Sequence, residues 1–472
     1  MKVLFLQRDP FVKLGIATLS AVLKKAGHGA DVLIESLEKD LIKKAEECRP
    51  DIIAFSITTG EYSWMSELAR KVKARIDAPI ICGGAHPTFY PDIAKDPSFD
   101  IICRGEGEGA ILDIVNAMES GKDITGIRNL VVKKDGRIYT NGLRPLIDDL
   151  DSIPYPDRGI YDKYGFFKEQ KHRHMLTARG CPFQCSFCFN KLYNDMYRNN
   201  GKVIRRRSVR HVIDEIRALK TENPGLGHIF FLDDTFILSK QWVDEFLGIY
   251  KNEIGLPFSC TARANLVTRD LVKKMKGAGC FSIRLGIESG DDHMRNDILK
   301  KEVTIGQIES ATAIIKEHRI RLLTYNIVGT PGETIENAFK TFLLNKRIHP
   351  TYAWCSLLQP YPGTEIFEYA SSNGYLSSGH DFGNMESSYF MTSPVKMEKA
   401  RQMQNLQKVF ALGVALRLPA GLVKFLIKLP LEALYEKMFQ LIYAIGISRI
   451  DNIGLMQLLK TASHSKNYFT KK

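Results

Sequence analysis

Three cysteines near the middle of the chain offer the clearest chemistry. Cys181, Cys185 and Cys188 are separated by three and then two residues, shortly after an apolar run that predicts a β-strand. Thiolates at this spacing suit zinc or an iron–sulfur cluster. A structural zinc site needs four ligands, and His172 or His174 would have to supply the fourth. Three thiolates on a four-iron cluster instead leave one iron open to a small molecule.

The elements that position these cysteines alternate between strand and helix. Six apolar runs and six stretches of helical period predict parallel βα units. Six units are too few for a closed eight-stranded barrel, so we expect a partial (βα)6 barrel over residues 171–375, with its site at the carboxyl ends of the strands. The predicted strands are His174–Thr177, Ile229–Leu232, Phe258–Ala262, Ser282–Gly286, Leu322–Val328 and Trp354–Leu358. The predicted helices are 207–220, 239–252, 267–277, 304–317, 333–345 and 364–372.

A second α/β domain is predicted over residues 1–142. Short apolar runs bounded by helical stretches indicate an open, doubly wound parallel sheet. Leu130–Thr140 predicts a hairpin that turns at Asp135-Gly136. Residues 143–170, with several prolines and acids, are expected to be a linker. The predicted strands are Val3–Leu6, Ala30–Ile34, Asp51–Ser56, Pro79–Cys82 and Asp100–Cys103, and the predicted helices are 15–26, 61–75 and 108–118.

Residues 376–472 predict an α-helical C-terminal region. From residue 395 onward the chain holds thirteen Lys or Arg against four Asp or Glu. The longest uncharged run, Met438–Ser448, falls well short of the ~20 residues that span a bilayer. The charge suggests phospholipid headgroups, nucleic acid or a phosphorylated substrate as partner. Alternatively, the apolar face of these helices caps the barrel. A second basic cluster, Arg205-Arg206-Arg207 with Arg210, predicts a solvated surface.

The nine cysteines do not suggest a disulfide framework, since such frameworks belong to short secreted chains. The N-terminal apolar run is too short for a signal peptide. We therefore expect a cytoplasmic protein, with peripheral membrane contact through the C-terminal region as a further expectation.

The cysteine motif identifies a resemblance. Arg179-Gly180-Cys181-Pro-Phe-Gln-Cys185-Ser-Phe-Cys188 after the first barrel strand resembles the radical S-adenosylmethionine (SAM) superfamily over roughly residues 170–370. The resemblance implies a [4Fe–4S] cluster on the three cysteines, SAM on the open iron, and an electron donor such as flavodoxin or ferredoxin. The SAM contacts that it implies are Phe187, Asp233, Arg263, Glu288, Ser289, Val328 and Gly329.

The N-terminal domain resembles the cobalamin-binding branch of that superfamily. Glycine-rich and small-residue segments follow its predicted strands, where doubly wound sheets bind ligands. No G-x-G-x-x-G motif favours a dinucleotide. The loop at Arg8-Asp9-Pro10 lacks the D-x-H-x-x-G motif, so the lower cobalt face is expected to have no protein histidine, and His86 is expected to be a polar loop residue. The implied cobalamin contacts are Leu14, Gly15, Ser56, Thr58, Gly83, Gly84, His86, Gly105 and Glu106.

The resemblance implies a cobalamin-dependent methyltransferase, in which a 5′-deoxyadenosyl radical activates a substrate carbon that then takes methyl from methylcobalamin. The alternative is an oxidative or cyclising enzyme with the same cofactors, like the oxygen-independent porphyrin ring cyclases. A tRNA methylthiotransferase would need a second cysteine triad in the N-terminal domain, but Cys48, Cys82 and Cys103 fall on different predicted elements. We therefore expect a small-molecule or lipid-like substrate and no nucleic acid.

Overall fold

The structure is a computed structural model, and it describes residues 1–376, 382, 385 and 388–454. It contains two mainly parallel sheets in series, followed by a group of helices. The predicted fold class, a doubly wound α/β domain, a partial barrel and a helical C-terminal region, is confirmed.

The N-terminal sheet has seven strands. They are β1 (Lys2–Gln7), β2 (Gly29–Ile34), β3 (Ile52–Ser56), β4 (Ile80–Gly83), β5 (Ile101–Cys103), β6 (Leu130–Lys134) and β7 (Arg137–Thr140). Their order is β2-β1-β3-β4-β5-β6-β7, and the first five run parallel. β6 and β7 form the predicted hairpin, which adds antiparallel at the edge. β1 lies between β2 and β3, so the direction in which successive strands are added to the sheet reverses at β1. Ligands bind at this point in such sheets.

Helices cover both faces of this sheet. They are α1 (Leu14–Lys25), α2 (Leu41–Glu47), α3 (Tyr62–Lys73), α4 (Ala85–Phe89) and α5 (Glu108–Glu119). Successive side chains of a strand point to opposite faces. Val3 and Phe5 therefore lie in the core beside α1 and α5, whereas Leu4 and Leu6 lie in the core beside α2 and α3. Burial on both sides explains why β1 is an unbroken apolar run.

Residues 143–170, predicted as a linker, are folded onto the N-terminal sheet. They include a turn of 3₁₀ helix at Arg158–Tyr161 and the short α6 (Gly165–Lys168). Tyr161 and Phe167 lie in the same core as Val3. The Tyr161 hydroxyl donates to Gln7 Oε1 at 3.1 Å and accepts from Lys13 N at 3.2 Å. The segment therefore has only short helical turns, but its aromatic side chains pack into the core of the N-terminal domain.

The second sheet forms the partial barrel. Its region contains β8 (His172–Met175), β9 (Ala178–Arg179), β10 (Arg205–Arg206), β11 (His228–Phe231), β12 (Phe258–Ala262), β13 (Cys280–Glu288), β14 (Arg321–Val328) and β15 (Tyr352–Leu357). Six of these strands pair in parallel and in chain order, from β8 through β11 to β15. β9 and β10 form a separate antiparallel ribbon that the sequence did not predict.

Seven helices belong to the barrel. They are α7 (Phe189–Met196), α8 (Val209–Glu222), α9 (Lys240–Glu253), α10 (Arg269–Gly277), α11 (Ile305–Glu317), α12 (Ile335–Ile348) and α13 (Glu365–Ser372). From α8 onward each begins after a Ser or Thr whose hydroxyl accepts a hydrogen bond from a first-turn backbone N–H; the caps are Ser208, Ser239, Thr268, Thr304, Thr334 and Thr364. Such caps satisfy N–H groups that the helix itself leaves unpaired. α7, directly after the cysteines, was not predicted.

The C-terminal region closes one side of the barrel. It contains α14 (Ala400–Ala415), α15 (Ala420–Leu426) and α16 (Glu432–Asp451). Phe410 and Tyr435 share a core with Phe342 of α12, and Asp451 forms an ion pair with Arg284 of β13. No helix of the described residues is both long and apolar enough to cross a membrane. The predicted region extends to residue 472, and its residues 455–472 lie outside the described part.

Candidate active site

The three cysteines of the motif line one cavity of about 160 Å³ at the carboxyl ends of the barrel strands. Cys181 and Cys185 are buried, and Cys188 is partly buried. Asn190 Nδ2 lies 3.6 Å from Cys188 Sγ, and an Arg263 guanidinium nitrogen lies 3.7 Å from Cys185 Sγ. Burial raises the pKa of the Cys188 thiol to about 11. Without a metal the Cys188 thiol is therefore neutral at pH 7, and a bound metal has to replace its proton.

The two histidines of the zinc alternative lie elsewhere. His172 and His174 pack against each other and against the ring of Phe230, and neither lines the cysteine cavity. Neither histidine is therefore placed to complete a four-ligand zinc site with the three cysteines.

Three of the predicted SAM contacts line the cysteine cavity: Phe187, Arg263 and Glu288. Arg263 is buried and its guanidinium lies 3.7 Å from the centre of the Phe183 ring, while its Nε has no partner. Glu288 accepts a hydrogen bond of 2.8 Å from Lys301 Nζ. Both charges of this pair and the Arg263 cation therefore lie at the wall of the cysteine cavity.

The other predicted SAM contacts do not line this cavity. Asp233 turns away, and its carboxylate accepts hydrogen bonds from Thr177 N at 3.0 Å and Thr177 Oγ1 at 2.7 Å. Burial raises the pKa of Asp233 to about 6. Its neighbour Asp234 lines the cavity instead. The aspartate that faces the cysteines is thus one residue later than the sequence predicted.

The last three predicted SAM contacts make contacts within the protein; they are Ser289, Val328 and Gly329. The Ser289 hydroxyl lies 3.3 Å from Thr341 Oγ1, and Val328 packs in the core between the sheet and α14. Gly329 N donates to Glu333 Oε2 at 2.6 Å, which fixes the turn after β14. Burial raises the pKa of Glu333 to about 8.

A larger cavity of about 480 Å³ lies between the N-terminal sheet and the barrel. Two glycines at its edge have positive φ, Gly84 at 102° and Gly105 at 76°. A Cβ at Gly84 would lie 2.9 Å from the backbone N and O of Ile57, so only glycine fits there. The predicted cobalamin contacts that line this cavity are Leu14, Gly15, Ser56, Gly83, Gly84, Gly105 and Glu106.

Thr58 and His86 do not line it. The Thr58 hydroxyl donates to Glu61 Oε2 at 2.6 Å in a capping box. His86 is fully buried, stacks on Tyr62 at 4.5 Å between ring centres, and lies 3.3 Å from Thr59 Oγ1 through Nδ1. Burial lowers its pKa to about 4. His86 is thus a buried, packed ring on α4, so the expectation that it is a polar loop residue is wrong.

Ion pairs join the N-terminal domain to the start of the cysteine loop. Arg179 forms ion pairs with Glu106 at 2.7 Å and with Glu108 at 2.5 Å. Arg205 forms an ion pair with Glu106 at 2.9 Å. The side chain of Arg205 is only 2% exposed. The expectation that Arg205-Arg206-Arg207 with Arg210 forms a solvated surface is therefore wrong for Arg205 and Arg207, whereas Arg210, whose side chain is 52% exposed, lies at the surface. Arg207 likewise bonds the buried Glu215, at 2.6 Å.

The two cavities adjoin. Asn190 and Asp234 line both of them, so a ligand in the larger cavity reaches the wall of the cysteine cavity. Asn190 was not predicted as a site residue, although its position two residues after Cys188 placed it near the cluster motif. The chain therefore builds a thiol-lined site and a larger inter-domain site side by side.

Comparisons with known proteins agree with this arrangement. The profile of the radical SAM superfamily matches residues 175–344. A methyltransferase of Pyrococcus horikoshii, described as uncharacterized, is 32% identical over 375 residues, which are 77% of this chain and 79% of that protein. The chain belongs to the radical SAM superfamily. The profile of the B12 binding domain also matches, at residues 9–115, so the chain belongs to the branch that combines both domains.

Other relatives either match over a smaller share of their own length or are less identical in sequence to this chain. The anaerobic magnesium-protoporphyrin IX monomethyl ester cyclase of Rubrivivax gelatinosus is 29% identical over 372 residues, which cover 75% of this chain but 65% of that protein. The methyltransferase TsrM of Kitasatospora setae superposes with a TM-score of 0.67 at 18% identity, covering 80% of this chain and 79% of TsrM. The cobalamin-dependent radical enzyme OxsB superposes with a TM-score of 0.69 at 17% identity, covering 98% and 74%. The two structures share the fold.

Family membership assigns three cofactors, a [4Fe–4S] cluster, SAM and cobalamin. The residues present fit them. Three thiols line one buried cavity that also contains an Arg263 nitrogen without a partner, and the glycine-lined cavity adjoins it. The cobalamin-dependent radical SAM enzyme predicted from the sequence is confirmed at the level of the family.

Proposed function

We propose that this enzyme transfers a methyl group to an unactivated carbon of a small organic substrate. The observation that carries the proposal is the shared wall of the two cavities, formed by Asn190 and Asp234. When bound, the cluster and SAM supply the radical that removes hydrogen from carbon, and cobalamin supplies the methyl group. Both sites have to face one substrate for such a transfer, and an adjoining pair of cavities meets that need.

The chain's own residues hold and orient these groups. In this proposal Cys181, Cys185 and Cys188 hold the cluster, Arg263 pairs with the carboxylate of SAM, and Asp234 faces its ammonium group. The buried Glu288–Lys301 pair forms part of the wall of this cavity. A flavodoxin or ferredoxin is the proposed electron donor.

The experiment compares cells that carry the gene with cells that lack it. Both are fed methionine labelled with a trideuterated methyl group, and their metabolites and lipids are compared by mass spectrometry. We expect at least one compound that carries the intact label only when the gene is present. A Cys185→Ala variant should lose that compound, whereas a Cys48→Ala variant, altered far from the cavity, should keep it. A gene-dependent product without label would refute methyl transfer.

The cyclase alternative keeps one specific support, the similarity to the magnesium-protoporphyrin cyclase. It predicts a gene-dependent product with a new ring or oxygen function and no methyl label. The same comparison therefore separates the two activities.

A peripheral membrane contact is the second part of the proposal. Six large apolar side chains are exposed on α15, α16 and the segments beside them, and Phe425 and Leu441 are each 59% exposed. We call this the apolar patch; its members are Leu416, Leu422, Phe425, Leu431, Leu434 and Leu441. Four cations, Arg417, Lys424, Lys428 and Lys437, and one acid, Glu432, are exposed on the same segments. Apolar side chains among cations suit an anionic lipid surface.

Vesicle sedimentation tests this contact. The full chain should sediment with phosphatidylglycerol vesicles, less as salt rises, and not with neutral phosphatidylcholine vesicles. A Phe425→Ser and Leu434→Ser double variant should lose binding. Leu343→Ser removes an apolar side chain that is 44% exposed on α12 and should bind normally. Equal binding by all three proteins, or self-association of the unaltered chain through the patch, would refute the membrane contact.

A further inference from the structure

The last residue of α16 reaches the wall of the cysteine cavity through an ion pair. Arg284 lies near the middle of β13 and lines this cavity, and its guanidinium is paired with the Asp451 carboxylate. Glu288 ends the same strand, so Arg284 forms the deeper part of the wall, toward the amino ends of the strands. The C-terminal region therefore acts on a cavity whose lining residues all belong to the barrel.

Apolar contacts already attach α16 to the barrel without this ion pair. The ring of Tyr443 lies 5.2 Å from the ring of Trp354, and Ile450 lies in the same core as Tyr352. A Cβ at Gly446 would clash with the ring of Tyr352, so the helix backbone contacts that ring directly. These contacts fix the helix on the sheet, and the ion pair needs a separate explanation.

The position of Asp451 is unfavourable for the helix itself. The carbonyl groups at the carboxyl end of a helix carry partial negative charge, which favours cations there and opposes an acid. The two side chains of the pair are also almost buried, at 14% exposed for Arg284 and 11% for Asp451. A buried ion pair stabilises a fold no more than apolar residues of similar volume do. The charge of Arg284 therefore accounts for Asp451 better than the stability of α16 does.

The cysteine cavity needs this charge to be balanced. Arg263 already brings one cation to its wall, whereas Lys301 is paired with Glu288 at 2.8 Å. SAM carries a sulfonium cation besides its ammonium and carboxylate groups. A second unpaired cation at Arg284 would repel this sulfonium, since charges in a buried site are poorly screened. The Asp451 carboxylate cancels the Arg284 charge.

We infer that Asp451 is a positioning residue, which holds the Arg284 guanidinium at the wall of the cysteine cavity and cancels its charge, so that the sulfonium of SAM binds there without repulsion. The inference rests on the proposed function, because it requires SAM in the cysteine cavity. It adds to that function a residue of the C-terminal region, which lies outside residues 175–344 that the radical SAM profile matches.

Equilibrium dialysis measures the charge effect. The full chain is loaded anaerobically with cluster and cobalamin, and no reductant is added, so SAM is not cleaved. SAM and S-adenosylhomocysteine are the probes, because they differ by one methyl group and one positive charge. In Asp451→Asn the ratio of the Kd of SAM to the Kd of S-adenosylhomocysteine should rise about tenfold, a difference of about 1.4 kcal/mol. A purely structural loss would weaken binding of both probes and leave this ratio unchanged.

Three further variants locate the effect. Asp451→Glu keeps the charge and should stay within about threefold of the unaltered ratio. Adding Arg284→Gln to Asp451→Asn removes both charges and should bring the ratio back to the same range. Glu436→Gln is the matched control, because it also changes an acid of α16 to an amide, but its partner Lys408 does not line the cysteine cavity. It should leave the ratio unchanged.

Iron content and thermal unfolding show whether each variant is folded. If Asp451→Asn loses its cluster, Arg284→Gln alone provides the test. This variant leaves the Asp451 carboxylate without its cation, and that carboxylate attracts the sulfonium. The ratio should therefore fall, by at least about threefold.

The inference is overturned by an unchanged ratio in a folded Asp451→Asn variant, by an equal rise in Glu436→Gln, or by a raised ratio that persists in the double variant. A ratio that does not fall in Arg284→Gln overturns it as well. Failure of the proposed function is seen separately, because methyl transfer is judged from label in the product and these ratios are judged from binding alone. An unlabelled product together with the expected ratios removes methyl transfer and keeps the role of Asp451.

Discussion

Replacing Arg179 with Met should loosen the contact between the N-terminal domain and the cysteine loop. Glu106 would keep its 2.9 Å bond to Arg205, but Glu108 has no other ion pair among the described residues. Breaking a fully buried pair costs about 3–5 kcal/mol because a charge is left without a partner. The Glu108 side chain is 11% exposed, and water can reach it. We therefore expect a loss of about 2–3 kcal/mol.

Urea denaturation of the full chain without cofactors measures this loss in the first cooperative transition. Arg198→Met is the matched control, since Arg198 is 74% exposed and its pair with Asp195 should contribute less than about 0.5 kcal/mol. Adding Glu108→Gln to Arg179→Met should restore at least half of the lost stability, because it removes the stranded charge. Equal stability of Arg179→Met and Arg198→Met, or no recovery in the double variant, would refute the reasoning.

Three further predictions follow from the site. Replacing Cys181, Cys185 and Cys188 together with Ala should abolish the broad visible absorption of thiolate-bound iron and the cleavage of SAM, whereas Cys355→Ala should keep both; bound iron in the triple variant would contradict this. Burial raises the pKa of Glu333 from 4.5 to about 8, so its contribution to stability is complete below pH 4.5 and is lost as pH rises through about 8. Glu333→Gln should remove that loss, at most about 5 kcal/mol, and urea midpoints with the same pH dependence in both proteins would contradict it. The cobalt(II) EPR spectrum of bound cobalamin should show no nitrogen splitting in either the unaltered chain or His86→Phe; a splitting that disappears in the variant would make His86 a ligand.

Most of the fold follows from local pattern. Strands buried on both faces, such as β1, are continuous apolar runs, and the Ser and Thr caps mark where the barrel helices begin. The β9–β10 ribbon could not be predicted this way. It has two residues in each strand, and Arg179 and Arg205 hold it through Glu106, which lies 73 and 99 residues away in the chain.

The cysteines and the glycine-rich strand ends were predictable because their chemistry depends on residue type and spacing. It was not possible to predict from residue type and spacing which of two adjacent residues faces a cavity. Asp233 and Asp234 differ only in the direction of their side chains at the end of β11, and the bonds from Thr177 decide it. The ring-lined cavity at the carboxyl ends of β14 and β15 was also missed, because Tyr325, Trp354 and Tyr389 meet only when β14, β15 and a later segment come together.

The central claim is that the cluster and cobalamin occupy adjoining cavities that share Asn190 and Asp234. The most direct measurement is the EPR spectrum of the full chain loaded with the reduced cluster and with cobalt(II) cobalamin together. The claim predicts that each signal is broadened or split by the other, relative to proteins loaded with one cofactor alone. A spectrum equal to the sum of the two single spectra would contradict it.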